Sequence, residues 1–214
     1  MPVIVSSVVF FFIGMCFAYF FVFPVMFSFF AGYTPAGYRS PSWDLSQNSI
    51  GCLEELGLTG KRVYHFGTGG HHYVGIRCAE PELDCTVLGI TASPKEYDAF
   101  VKLATGNPTI TKTYSAYFGD IYTSNAKLLP RFDIVTLFHA CEFRTEANDA
   151  YGALTDREVI DLFTGQTDAG GYLLFYTGSF AYATAEPIIA DWAKTAAVEE
   201  VASFKTLRVF RKTG

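Results

Sequence analysis

At 214 residues the chain has room for one ordinary domain and an appendage. Its 21 acidic and 16 basic side chains leave a net charge of −5, which argues against non-specific nucleic-acid binding, since that needs a basic face. Half of the residues are hydrophobic, unevenly spread, with no Lys, Arg, Asp or Glu before Arg39.

Residues 3–30 form an uncharged apolar run. A membrane-crossing helix takes about 20 apolar residues, so 1–30 is read as one transmembrane anchor, any excess taken up by tilt or by a kink at Pro24. A hairpin turning at Pro24 is the competing reading. The run lacks the basic start of a signal peptide and is longer than a signal peptide's apolar core. Arg39, Lys61 and Arg62 follow the run and no basic residue precedes it. The positive-inside rule then predicts a single-pass membrane protein with its folded domain on the cytoplasmic side. The lipid bilayer is the expected partner, and the Phe-rich helix offers a surface to other membrane-protein subunits. Residues 31–42, rich in Gly, Pro, Ser and Tyr, read as a linker.

The folded domain is expected over 43–214. Ile50, Leu53, Leu56 and Leu58 have roughly helical spacing, ended by Gly57 or Gly60. Lys61–Phe66 reads as a first strand, His71–Ala79 as a short helix and Cys85–Thr91 as a second strand, apolar enough to be buried on both faces. Pro94–Thr105 is a helix with Pro in its first turn. Thr109–Tyr117 and Phe132–Phe138 follow as strands. Thr155 and Glu158 make a capping box ahead of an apolar helix. Gly171–Thr177 is a fifth strand and Pro187–Ala197 a helix. Val198–Phe204 and Leu207–Arg211 lie too close for a crossover, so they form an antiparallel hairpin. This alternation predicts an α/β fold, a doubly wound, mostly parallel seven-stranded sheet preceded by one N-terminal transmembrane helix.

Ligands of such sheets bind beyond the carboxyl ends of the strands. Gly67-Thr68-Gly69-Gly70 stands there, after the first strand. Gly67 and Gly69 allow a tight turn and close approach of a ligand, and a following helix would aim free N–H groups at the same place. The histidines cluster at the same rim: His65, His71 and His72 after strand one, His139 after strand four, with Cys141 and Glu142 beside it. His139 is the candidate general base, since an imidazole titrates near neutrality. A metal held by these imidazoles is the weakest reading, because adjacent His71 and His72 do not readily face one ion. Five cysteines (16, 52, 78, 85 and 141) show neither a C-x-x-C pair nor metal-ligand spacing. They read as reduced thiols, in preference to a Cys78–Cys85 disulfide. Lys95, Glu96 and Asp98 read as a solvated helix face.

Over 43–212 the chain resembles the class I S-adenosylmethionine-dependent methyltransferases. His65-Phe-Gly67-Thr-Gly69-Gly70 is similar to their first glycine motif and Leu88-Gly-Ile-Thr91-Ala-Ser93-Pro94 to the end of their second strand. Phe118-Gly-Asp120-Ile121 is similar to their adenine-side motif and Phe132–His139 to their fourth strand. The resemblance implies a Rossmann-like methyltransferase fold that binds S-adenosylmethionine through His65, Gly67, Thr68, Gly69, Thr91, Asp120 and Ile121; on the histidine spacing no metal is expected. It departs from the family pattern where His65 and Thr91 replace acidic residues and His71 replaces the last glycine. A charged hydrogen bond contributes about 1.5–3 kcal/mol, so these changes bear on cofactor binding. Two functions are therefore expected. One is a membrane-anchored methyltransferase acting on a membrane-associated or small-molecule acceptor. The alternative is a catalytically inactive accessory subunit of a respiratory or photosynthetic membrane complex.

Overall fold

The structure, a computed structural model, describes residues 49–214. The expected anchor (1–30) and linker (31–42) lie outside the described residues. Helix α1 runs over 49–55, and Gly57, with φ 63°, follows it. The strands are β1 Arg62–Phe66, β2 Thr86–Thr91, β3 Tyr114–Phe118, β4 Phe132–Leu137, β5 Thr167–Tyr176, β6 Val198–Phe204 and β7 Leu207–Lys212. Helices α2 Tyr73–Cys78, α3 Pro94–Gly106, α4 Asp156–Gln166 and α5 Tyr182–Thr195 connect them. The sheet has seven strands in the order β3-β2-β1-β4-β5-β7-β6. All neighbours are parallel except β7, which runs antiparallel to β5 and β6. The terminal pair is the expected hairpin. The order reverses between β1 and β4, so the carboxyl ends of those strands form the crevice.

Successive strand residues point to opposite faces, and neighbours in sequence enter different cores. Val63, Ile134, Leu174 and Val209 pack on one face with Ile50, Leu53, Val74 and Cys78 of α1 and α2. Tyr64, Val135, Leu173 and Phe210 pack on the other with Val159, Phe163, Ile189 and Trp192 of α4 and α5. This two-sided burial explains the continuous apolar runs in β2 and β4.

Several boundaries differ from the sequence reading. The stretch read as a strand from Thr109 opens with a 3-10 turn, Pro108–Lys112, and pairs only from Tyr114. Thr111 donates to Pro108 O (2.8 Å) and Thr113 to Ile110 O (3.2 Å), local bonds that compete with a ladder. The last helix begins at Tyr182, so Pro187 lies inside it. Buried Ala185, Ile189 and Trp192 share one face, and their packing outweighs the one backbone bond that proline forfeits. Strand β5 starts at Thr167, beside an irregularity in its pairing with β4 between Phe132 and Ile134. A Cβ at Gly171 would stand 2.6 Å from Asp133 O, so glycine is what lets the two strands approach there.

Among the described residues no helix is long and apolar enough to cross a membrane. The longest, α5, has 14 residues, against the roughly 20 a span takes. The transmembrane helix expected ahead of the sheet is therefore not part of the described fold.

Candidate cofactor and acceptor site

Strand β1 ends at Gly67, whose φ of 109° disfavours any side chain. A Cβ there would collide with the His139 ring, 2.8 Å from Nε2. Glycine thus lets the end of β4 close against the end of β1. Gly69 is also left-handed, at φ 58°. At exposed Gly70 nothing lies within 4 Å of a would-be Cβ, so the loop backbone is open to a ligand. Thr68 is buried, and its methyl occupies the space that a Cβ at Gly89 would need.

The helix expected from His71 begins instead at Tyr73 and has six residues. His71 Nδ1 already accepts the Tyr73 N–H at 3.2 Å, so the expected fan of free helix N–H groups is reduced. His65 is 2% exposed and shares a 2.7 Å hydrogen bond with the Thr136 hydroxyl through Nδ1. Burial, then the nearby His139, push its pKa down to about 3. A neutral imidazole therefore stands where the resembled motif carries an acid.

His72 fastens the loop to α3. Its Nε2 donates to the carbonyl of Glu96 (2.9 Å), which fixes the tautomer, and Nδ1 accepts the Tyr114 hydroxyl (2.7 Å). Burial lowers its pKa, in keeping with a neutral ring. The Glu96 side chain turns the same way: Oε2 accepts Thr91 Oγ1–H (2.7 Å) and Thr68 Oγ1–H (3.2 Å). Thr91 in turn accepts the Ser93 N–H at 3.0 Å. The expectation of Glu96 on a solvated helix face is thus corrected. It is half-buried and brings a carboxylate to the end of β2, beside the threonine that replaced one. Sequence reasoning missed it, and the local pattern pointed elsewhere: Ser93-x-x-Glu96 reads as a capping box, which would turn Glu96 back to the Ser93 N–H.

At the end of β4, His139 Nδ1 pairs with Glu142 Oε2, and the Ser179 hydroxyl lies 3.5 Å from the same oxygen. An ionised carboxylate only accepts, so this pairing keeps the proton on Nδ1 and leaves the Nε2 lone pair beside Gly67. Phe66 and Phe143 flank the imidazole at 6.1 and 5.8 Å, and Phe143 is 56% exposed. Cys141, between them in sequence, instead faces Asp156. Burial and that carboxylate push its pKa up to about 12, which leaves it a thiol at neutral pH. Cys52, Cys78 and Cys85 are likewise free.

Asp120 follows β3, whose neighbour Gly119 donates to Thr91 O at 3.0 Å. Its Oδ1 accepts Tyr122 N–H (2.9 Å), capping a short 3-10 turn, and its Oδ2 accepts the Tyr151 hydroxyl (2.6 Å). Asn148 Nδ2 adds a 3.4 Å contact. Asp120 is thus engaged on both oxygens, and Ile121 is 3% exposed in the core. Of the expected site residues, the fold brings His65, Gly67, Thr68, Gly69, Thr91 and His139 to one rim, with Asp120 and Ile121 at its edge.

Comparisons divide the chain in two. Residues 1–53 match the family model for Sec-independent protein translocase protein (TatC). The TatC protein of Azotobacter chroococcum mcd 1 is 62% identical over 37 residues, which are 17% of this chain and 14% of that protein. The uncharged run 3–30 falls inside the family match. The expected localisation, a single-pass membrane protein with its domain on the cytoplasmic side, is therefore corrected: it treated the run as an isolated anchor, whereas the run is similar to part of a translocase protein.

The folded part is similar to solved methyltransferases. An O-methyltransferase family protein from Burkholderia thailandensis matches at TM-score 0.51 and 18% identity, over 79% of this chain and 56% of that one. Precorrin-6y C5,15-methyltransferase from Geobacter metallireducens GS-15 matches at 0.55 and 10%, over 86% and 95%. A methyltransferase from Pyrococcus furiosus matches at 0.53 and 13%, over 85% and 88%. At these identities the likeness establishes the fold, a Rossmann-like methyltransferase sheet. The chain spans about half the length of the Burkholderia protein and a small fraction of the translocase protein.

Proposed function

We propose that the folded domain is an S-adenosylmethionine-dependent methyltransferase acting on a hydroxyl of a small-molecule acceptor, with His139 as general base. One observation carries this reading: the His139–Glu142 pair stands at the carboxyl end of β4, against the first glycine of the loop after β1. Bound S-adenosylmethionine supplies an electrophilic methyl group. The residues present fit such a ligand in part. The backbone is open at Gly70, and Glu96 offers a carboxylate at the end of β2. Buried, neutral His65 offers no charge to the ligand's amino-acid end.

The work left to the protein is positioning and proton removal. Glu142 holds Nδ1–H and orients the ring, so Nε2 takes the acceptor's hydroxyl proton as the oxygen becomes nucleophilic. Glu142 also stabilises the imidazolium that forms. Phe143 gives the acceptor an apolar wall beside the base and helps to keep water away.

Calorimetric titration of the chain with S-adenosylhomocysteine, followed by methyl transfer from labelled S-adenosylmethionine to hydroxylated small molecules, tests this. His139→Gln is expected to lower turnover by roughly 10²–10⁴-fold while leaving cofactor affinity within about twofold. Full turnover in that variant would remove His139 from the role.

A second reading, a methyltransferase-like domain without turnover, is favoured by His65 and by His71 in place of the last motif glycine. Binding of S-adenosylhomocysteine with no transfer to any acceptor would support it.

A further inference from the structure

We propose that Glu96 is the acceptor for a vicinal diol, the ribose of an adenosyl ligand, and so replaces from helix α3 the carboxylate that Thr91 lacks. This rests on the cofactor reading above. Ser93-x-x-Glu96 and Thr155-x-x-Glu158 carry the same capping-box signature, in which the glutamate turns back to the cap residue's N–H. Glu158 does so, accepting Thr155 N–H at 2.7 Å. Glu96 does not. The Ser93 N–H is taken by the Thr91 hydroxyl at 3.0 Å, and the Glu96 carboxylate reaches to Thr91 and Thr68 instead.

The side chain is therefore released from its local role and held across the crevice by hydroxyls from two strand ends. His72 grips the backbone of the same residue through its carbonyl. Both threonine bonds fall on Oε2. Among the described residues no hydrogen bond reaches Oε1, so its lone pairs are free to accept. A half-buried acceptor beyond the carboxyl end of β2, beside a glycine loop, suits a ribose: doubly wound folds use an acidic side chain there for the hydroxyls of a nucleotide sugar. Both donors to it are neutral hydroxyls, and a carboxylate acceptor makes stronger bonds to a diol than a neutral oxygen does.

The test is calorimetric titration of the wild-type chain and of Glu96→Gln with S-adenosylhomocysteine and with its 2′,3′-dideoxy analogue, with thermal midpoints recorded alongside. The wild type is expected to prefer the diol form by roughly ten- to hundred-fold. The variant should bind the diol form weaker by a similar factor and the dideoxy form as the wild type does. Should Glu96→Gln fail to fold, Glu96→Asp, which retracts the carboxylate, serves the same comparison. An equal preference for the diol in wild type and variant overturns the role of Glu96 while the cofactor reading stands. No binding of S-adenosylhomocysteine by the wild type at about 1 mM overturns both.

Discussion

His65 shows how one side chain links site and stability. Its folded pKa, about 3, lies below the value of a free imidazole, chiefly through burial. The unfolded chain binds a proton there below about pH 6.5 while the folded chain does not. Stability from this group is therefore complete above that pH, and falls by about 1.4 kcal/mol per unit as pH drops towards 3. His71 and His72, also lowered chiefly by burial, act in the same sense. Urea unfolding between pH 7.5 and 5 should show the decline, and His65→Gln should flatten it, whatever that substitution does to stability at pH 7. An unchanged slope would mean that His65 is protonated in the folded chain. The place of His65 at the rim was legible, since a strand followed by a glycine turn puts it there. Its neutrality was not, because that follows from burial against Thr136, 71 positions away.

At the scale of elements, local signals decided most boundaries and failed where burial overruled them. The Thr155–Glu158 box starts α4 where the pattern indicated, with both reciprocal bonds present. Thr155→Ala should lower unfolding free energy by about 1 kcal/mol. Ser93→Ala should cost less, since its bond to Glu96 N is long, at 3.4 Å, and the box is open. Denaturant titration of the two variants compares them; the opposite ranking would sink this account of the two caps. The sequence pattern places the start of helix α5 at Pro187. It starts at Tyr182, since a buried stripe from Ala185 to Trp192 holds five further residues in helix. That stripe packs against the sheet only in the folded chain, so the extra turns ahead of Pro187 were not legible in the sequence.

For the whole molecule, the two edges of the sheet separate stability from chemistry. At the amino ends of β1, β4 and β5, Arg62 pairs with Asp133 and Asp168, and Arg131 with Asp168. Arg131, then Arg62, lower the Asp168 pKa. The candidate site occupies the opposite edge, a strand's length of roughly 16 Å away. Asp168→Asn should lower the thermal midpoint more at low ionic strength than at about 0.5 M salt and leave affinity for S-adenosylhomocysteine unchanged. A changed affinity would show that the edges are coupled. The stretch matching a translocase family, 1–53, overlaps α1, whose Ile50, Cys52 and Leu53 are buried in the core of the sheet. Apolar side chains at helical spacing meet that requirement whatever sequence they resemble elsewhere.

By itself the sequence determined the layered sheet, the closing hairpin, the glycine turn and the gathering of histidines at one rim. Those features follow from alternation, apolar runs and glycine conformations that act over a few neighbouring residues. Tertiary structure alone decided which partner each polar side chain takes. Glu96 had the signature of a helix cap, and became a crevice carboxylate because Thr91 claimed the Ser93 amide while Thr68 and His72, 28 and 24 positions away, drew Glu96 inward. A hydrogen-bonding group chooses among acceptors by distance in space, and that is set only when the strands have packed.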